Sequence, residues 1–137
     1  MTRRLLPLLF VPALLFGAAD PARDSAAVIT GLAASLTAGN VQEFMAPFDP
    51  AMPGIDLLRA GVAALAAQGE TQSFIELTRN EGDDRARTIE LSWELRILRT
   101  GDATISSRRE VHVTCKLELR GKRWHVVAFE PINFLAP

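Results

Sequence analysis

Few side chains in this chain are of kinds that do chemistry, and their positions decide what each can do. The 137 residues include two histidines, His112 and His125, one cysteine, Cys115, and no tyrosine. Both histidines fall on the polar phase of alternating segments, which places them on the outer, solvated face of a sheet. In the register deduced below they lie roughly 20 Å apart, too far to share a metal ion. No closely spaced set of His, Cys and carboxylate has the pattern a zinc site needs, so no metal or other cofactor is expected. Cys115 sits on the apolar phase among valines and leucines, a setting that raises a thiol pKa and leaves it inert. Asp49 and Asp56 flank the Pro50–Gly54 loop and could reach a pocket mouth as general acid or base. The same positions suit Asp49 to opening a turn with Pro50 and Asp56 to favouring a helix start. There is no Gly-x-Ser-x-Gly elbow, phosphate-cradling glycine loop or dinucleotide fingerprint, and no catalytic residue is assigned. Trp93 and Trp124 stand on inward strand positions, where large aromatics either fill a core or stack a ligand. With Phe48, Met52 and Phe134 they outline a candidate site for a small apolar ligand.

The elements that must position these residues begin with helices. Asp20-Pro21 is a start signal, an N-cap residue followed by proline at the first helical position. Val28, Ile29, Leu32 and Leu36 then recur at helical spacing, and Gly39 closes the helix. Asn40 starts a second, with Glu43 three residues on, where its side chain can reach back to the cap amide. Val41, Phe44, Met45 and Phe48 form its apolar stripe. A third helix is expected over Ile55–Gln68, with Ile55, Leu58, Val62 and Leu65 inward and Gly69 at its end. Gly61 in its middle costs up to about 1 kcal/mol against alanine.

After Gly69 the period changes from helical to two. Residues 72–80 form a first strand, and residues 86–98 place Ile89, Leu91, Trp93, Leu95 and Ile97 on one face. Thr100-Gly101-Asp102 turns the chain. Val111, Val113, Cys115, Leu117 and Leu119 repeat the inward pattern. Gly121-Lys122 is a two-residue hairpin loop, which sets Arg120 opposite Arg123. Continued without interruption, that register puts Trp124, Val126 and Ala128 inside, opposite Leu119, Leu117 and Cys115. It puts His125, Val127 and Phe129 outside, opposite Glu118, Lys116 and Thr114. The outer face is mostly charged, through Glu90, Glu94, Arg96, Arg108, Glu110, Lys116 and Glu118. Val127 and Phe129 interrupt it with an apolar patch, which makes them the candidate residues of a homodimer contact. The apolar tail, Ile132-Asn133-Phe134-Leu135, either joins that contact or folds over the sheet edge.

Three helices followed by an antiparallel meander of about four strands, with one apolar face to cover, define an α+β fold. The helices pack in the concave face of a curved sheet. This order resembles the nuclear transport factor 2-like superfamily, the cystatin-like cone shared with ketosteroid isomerase and scytalone dehydratase. The resemblance is carried by the helical pair around Gly39-Asn40, the third helix, the long strands and the Gly121-Lys122-Arg123-Trp124 hairpin, and covers most of residues 22–134. The chain departs from it in lacking a clear first strand between the second and third helices; residues 50–54 are the candidate remnant. The resemblance implies a pocket between helices and sheet, frequent dimers, and functions from catalysis to pure binding, so fold does not choose a function. Members that catalyse place acids, histidines, tyrosines or amides on the inner face. The inward positions read here carry no titratable group except Cys115.

The first nineteen residues have the three parts of a secretory signal: Arg3 and Arg4, the uncharged run Leu5–Phe16, and Gly17-Ala18-Ala19 before a cleavage point at Asp20. The run is short for a membrane span, which needs roughly 20 apolar residues. An exported protein, periplasmic or extracellular, is expected, with residues 20–137 as one domain. The 15 basic and 16 acidic residues alternate without long blocks, which argues against nucleic acid as a partner, and nothing suggests membrane binding after cleavage. One cysteine permits no internal disulfide. The reading that follows is a non-catalytic exported domain that binds a small apolar ligand or a protein partner, with a homodimer as one form. The alternatives are an assembly protein acting through the outer face and tail, and an isomerase- or dehydratase-like enzyme by fold analogy.

Overall fold

The computed structural model of the chain describes residues 19–99 and 104–136. The expected leader therefore lies outside the described residues up to Ala18, as does the turn expected at Thr100-Gly101-Asp102. Helix α1 spans Pro21–Thr37, and the Asp20 side chain accepts the Arg23 amide at 3.1 Å, as an N-cap should. Its inward stripe is Ile29, Leu32, Ala33 and Leu36. Gly39 takes φ +72, and the amides of Gly39 and Asn40 return to the carbonyls of Leu36 and Ser35, each at 3.0 Å. Helix α2, Val41–Met45, is a single short turn capped by Asn40 Oδ1 on the Glu43 amide at 3.0 Å. The return bond expected from Glu43 is absent because the Asn40 amide is already given to Ser35. Glu43 instead accepts the Ser35 hydroxyl at 3.0 Å and ties α2 to α1. Helix α3 covers Ile55–Gln68, the range expected, and buries Leu58, Val62 and Leu65.

The sheet is an antiparallel meander in the order β1 (Glu70–Gly82), β2 (Ala86–Leu98), β3 (Ile105–Arg120), β4 (Arg123–Glu130). Strand β1 runs two residues further at each end than its alternation predicts. Thr71 extends it inward by donating its hydroxyl to the Leu36 carbonyl at 3.0 Å, joining the strand to the end of α1. Ile89, Leu91, Trp93 and Leu95 on β2 are fully buried, with Val113, Cys115 and Leu117 on β3. The remnant of a first strand lies at residues 47–49 rather than 50–54. Phe48 makes a parallel bridge to Val126, with Val126 N–H on the Pro47 carbonyl and Asp49 N–H on the Val126 carbonyl, both at 2.9 Å. This short pairing occupies the free edge of β4.

The hairpin register holds for four pairs, from Arg120–Arg123 to Leu117–Val126, and then shifts by one residue. Lys116 pairs with Ala128 and Cys115 with Phe129, so Val127 is the extra residue of a β-bulge. Because side chains alternate, a one-residue shift exchanges the faces of everything beyond it. Ala128 leaves the inner face, and Phe129 turns inward to 2% exposure. The expected outer position of Phe129 is thereby corrected, and only Val127 of the expected apolar pair stays half-exposed. The cause is volume: an aromatic ring opposite Cys115 fills the core far better than an alanine methyl. Among the described residues no helix is long and apolar enough to cross a membrane.

Candidate functional site

The inner sheet face and the helices enclose the hollow in which the sequence places its candidate ligand contacts. Phe48, Met52, Trp93 and Phe134 are all brought there and buried. They meet one another rather than an open space. Trp93 stands edge-on to Phe134 at 5.7 Å between ring centroids and to Phe129 at 6.3 Å, while Phe48 stacks on Phe44 at 5.5 Å and meets Phe129 edge-on at 5.9 Å. Offset and edge-on geometries are those aromatic quadrupoles favour, so this set is a packed core. The Trp93 indole N–H is satisfied within it by the Ser73 hydroxyl at 3.1 Å.

Trp124 behaves differently. It is 8% exposed and lines an open cleft of about 1000 Å³ at the hairpin end of the sheet. The start of α1, residues 46–47, the β1–β2 turn and the β3–β4 hairpin form its walls. Val28, Leu119 and Trp124 are its recessed apolar surface, and exposed Arg85, Lys122 and Arg123 stand at its rim beside Asp24 and Asp84. His125, opposite Glu118 in the register, reaches the same cleft.

The other groups able to move protons sit elsewhere. Asp49 Oδ1 accepts the Ala51 amide at 2.8 Å and Oδ2 pairs with Arg120 at 2.9 Å; the backbone bond first and the guanidinium second hold its carboxyl below the ordinary 3.8. Asp56 pairs with Arg59 at 3.0 Å on the exposed side of α3. His112 lies 3.1 Å from Glu90 on the outer face, where Arg79 also reaches Glu90 at 3.4 Å. Nearby, the hydrogen bond from Arg96 depresses the Glu94 pKa. Burial pushes the Cys115 thiol up to about 12, as its apolar neighbours imply. Among the described residues the buried polar side chains are Ser25, Ser35 and Thr71, and no cluster could hold a metal ion.

The sequence puts one inward residue on the wrong face and its apolar runs omit another. Phe129 is hidden by the bulge. Arg109 is not hidden: it continues the Val111–Val113 alternation one step back, pairs with Leu95, and points inward half-buried. Extending the period past the apolar residues would have found it.

No protein-family model and no curated protein matches the chain. Solved structures do. An NTF2-like protein of unknown function from Shewanella oneidensis MR-1 is 13% identical over 80% of this chain and 97% of its own, with a TM-score of 0.65. A protein of unknown function with a cystatin-like fold from Nostoc punctiforme is 14% identical over 78% and 86%, with a TM-score of 0.62. A suggested dehydratase of the NTF2-like family from Streptomyces avermitilis is 9% identical over 80% and 93%, also at 0.62. At these identities the likeness speaks for architecture alone. Helices lying in the curve of a four-stranded antiparallel sheet give this chain the α+β cone fold of the nuclear transport factor 2-like proteins.

Proposed function

We propose that this chain is an exported, non-catalytic binding domain whose small apolar ligand seats in the cleft at the hairpin end. The observation that carries this reading is the contrast between two spaces. The deep hollow is occupied by the chain's own aromatic rings, whereas about 1000 Å³ beside Trp124 is open. A concave, apolar surface with a few charged groups at its rim is the usual form of a small-molecule site. The three rim cations beside two acids favour a ligand with anionic character. Export follows from the leader pattern, and mass spectrometry of the processed protein would locate cleavage before Asp20. The binding test uses anilinonaphthalene sulfonate, an apolar fluorescent anion. The unaltered chain is expected to enhance its emission, and Leu119→Glu, which places a charge on the apolar surface, to abolish the enhancement. Equal enhancement by both proteins would remove the cleft as the site. A second reading, a homodimer through the outer sheet face, is favoured by Phe74, which is 48% exposed beneath the Arg96 guanidinium. Light scattering tests it, and a strictly monomeric chain ends it.

A further inference from the structure

Two hairpin turns meet at one end of the sheet. The Leu119 amide donates to the Arg85 carbonyl at 2.8 Å, which holds the β1–β2 turn against β3. Leu119 also pairs with Trp124 on β4, and Arg123 directly precedes that tryptophan. Arg85, Leu119 and Trp124 therefore stand in one row across three neighbouring strands. With strands about 4.8 Å apart, the backbones at Arg85 and Arg123 are roughly 10 Å from each other. Lys122 lies at the tip of the β3–β4 hairpin. All three cationic side chains are exposed at the rim of the cleft, close enough to meet on one small anion.

Their charge is not balanced within the chain. Arg120 and Arg123 are directly opposite in the register, and like charges so placed destabilise a strand pair. Arg120 is compensated by Asp49 at 2.9 Å and by Glu118 at 3.0 Å. Among the described residues no carboxylate pairs with Arg123, nor with Arg85 or Lys122. Of the two acids at the rim, Asp24 faces Arg23 at 3.9 Å and Asp84 makes no ion pair. Three cations against one free carboxylate leave an excess of two positive charges beside the apolar patch of Val28, Leu119 and Trp124. A phosphomonoester matches that excess: it carries close to two negative charges at neutral pH, and its three acceptor oxygens suit guanidinium and ammonium donors. We infer that the ligand of the cleft is an apolar phosphomonoester, its head held between the two turns by Arg85, Lys122 and Arg123 and its body on Trp124. This rests on the hairpin-end cleft being the ligand site, and adds the head group to it. The apolar surface is recessed, with Trp124 only 8% exposed, so the ligand is a free molecule rather than a lipid within a bilayer.

The test compares octyl phosphate with octyl sulfate, a monoanion of the same shape, and with octanol, by calorimetry at pH 8, where the phosphate is a dianion. Octyl phosphate is expected to bind about tenfold more tightly than octyl sulfate, the size of one added charged hydrogen bond. Changing Lys122→Gln and Arg123→Gln together is expected to bring the two ligands to equal affinity, and Lys116→Gln, on the outer face, to keep them about tenfold apart. Equal affinity for phosphate and sulfate in the unaltered chain overturns the inference, as does a tenfold ratio that persists in the double variant. Octanol binding that Leu119→Glu abolishes, with no gain from phosphate, would keep the cleft as an apolar site and remove the head group. No binding of any of the three ligands, or octyl phosphate binding that Leu119→Glu leaves intact, removes the cleft as the site and the inference with it. Sedimentation with phosphatidic acid vesicles separates the two sources of such a head. The chain is expected to stay in the supernatant; pelleting together with failure to bind octyl phosphate would assign the cations to a membrane surface and overturn the inference.

Discussion

Phe129 offers the sharpest test of the packing, because two registers of one hairpin assign it opposite environments. In the observed register its ring is 2% exposed and edge-on to both Phe48 and Trp93. Truncating such a ring to alanine removes its transfer free energy and leaves a cavity, a loss of about 3–5 kcal/mol. Domains of this size are stable by only about 5–15 kcal/mol, so Phe129→Ala should lose about a fifth or more of the total. Phe129→Leu keeps most of the volume and should lose about 1.5 kcal/mol or less. In the uninterrupted register Phe129 would face solvent, where substitutions stay within about 0.5 kcal/mol of neutral. Ala128→Glu makes the reciprocal measurement. It should be nearly neutral on the outer face but destabilising by several kcal/mol if residue 128 were opposite Cys115 inside, since that would bury an unpaired charge. Urea denaturation followed by tryptophan emission reads both, provided the slope with denaturant is unchanged between variants. A neutral Phe129→Ala together with a strongly destabilising Ala128→Glu would refute the bulge at Val127.

The other predictions are more local. Iodoacetamide at pH 8 should leave native Cys115 unmodified and label it fully in urea, because its thiol pKa is pushed to about 12 by burial; rapid native labelling would contradict that burial. Asp49, Asp83 and Glu94 all have depressed carboxyl pKa values, the first two mainly through backbone hydrogen bonds and Glu94 mainly through Arg96. A depressed native pKa contributes stability above the unfolded value, and that contribution is lost as pH falls through the native one. The chain should therefore lose stability on acidification below about pH 4, and Asp49→Asn should be less stable at neutral pH with a shallower acid slope. Parallel slopes for both proteins would remove Asp49 from the acid response. Gly54 caps α3 at φ +81 with the Ile132 side chain 2.6 Å from where a Cβ would stand, so Gly54→Ala should lose about 1–2 kcal/mol in thermal unfolding; a neutral result would mean that the loop relaxes freely.

Much of the fold is legible in the sequence because it rests on local rules. Asp20 and Asn40 sit where helix amides need acceptors, and the Ile89–Ile97 alternation admits one burial pattern. What escaped depends on tertiary competition. The Asn40 amide goes to Ser35 rather than Glu43, and no local pattern announces that α1 supplies the better acceptor. The Val127 bulge reflects a preference for a phenyl ring over a methyl in a core whose shape only the assembled sheet defines. The candidate site was legible in part. The aromatic residues named from their phase do gather, but that they fill the space themselves follows from the inward tail and Phe129. Strand phase groups Trp124 with them, although its neighbours on the cleft come from four separate parts of the chain. Arg109 obeys the same alternation as Val111, but an arginine ends the apolar run by which inward positions are recognised.

The hollow beneath the sheet is filled by the chain's own rings, and the proposed function requires an apolar ligand to meet Trp124 and not Trp93. The two indole N–H resonances test it directly during titration with anilinonaphthalene sulfonate. The Trp93 signal, bonded to Ser73, should exchange slowly with solvent and stay in place while the Trp124 signal moves with saturable dependence on ligand. Movement of Trp93 with Trp124 stationary, or fast exchange of the Trp93 proton in the free chain, would contradict the account.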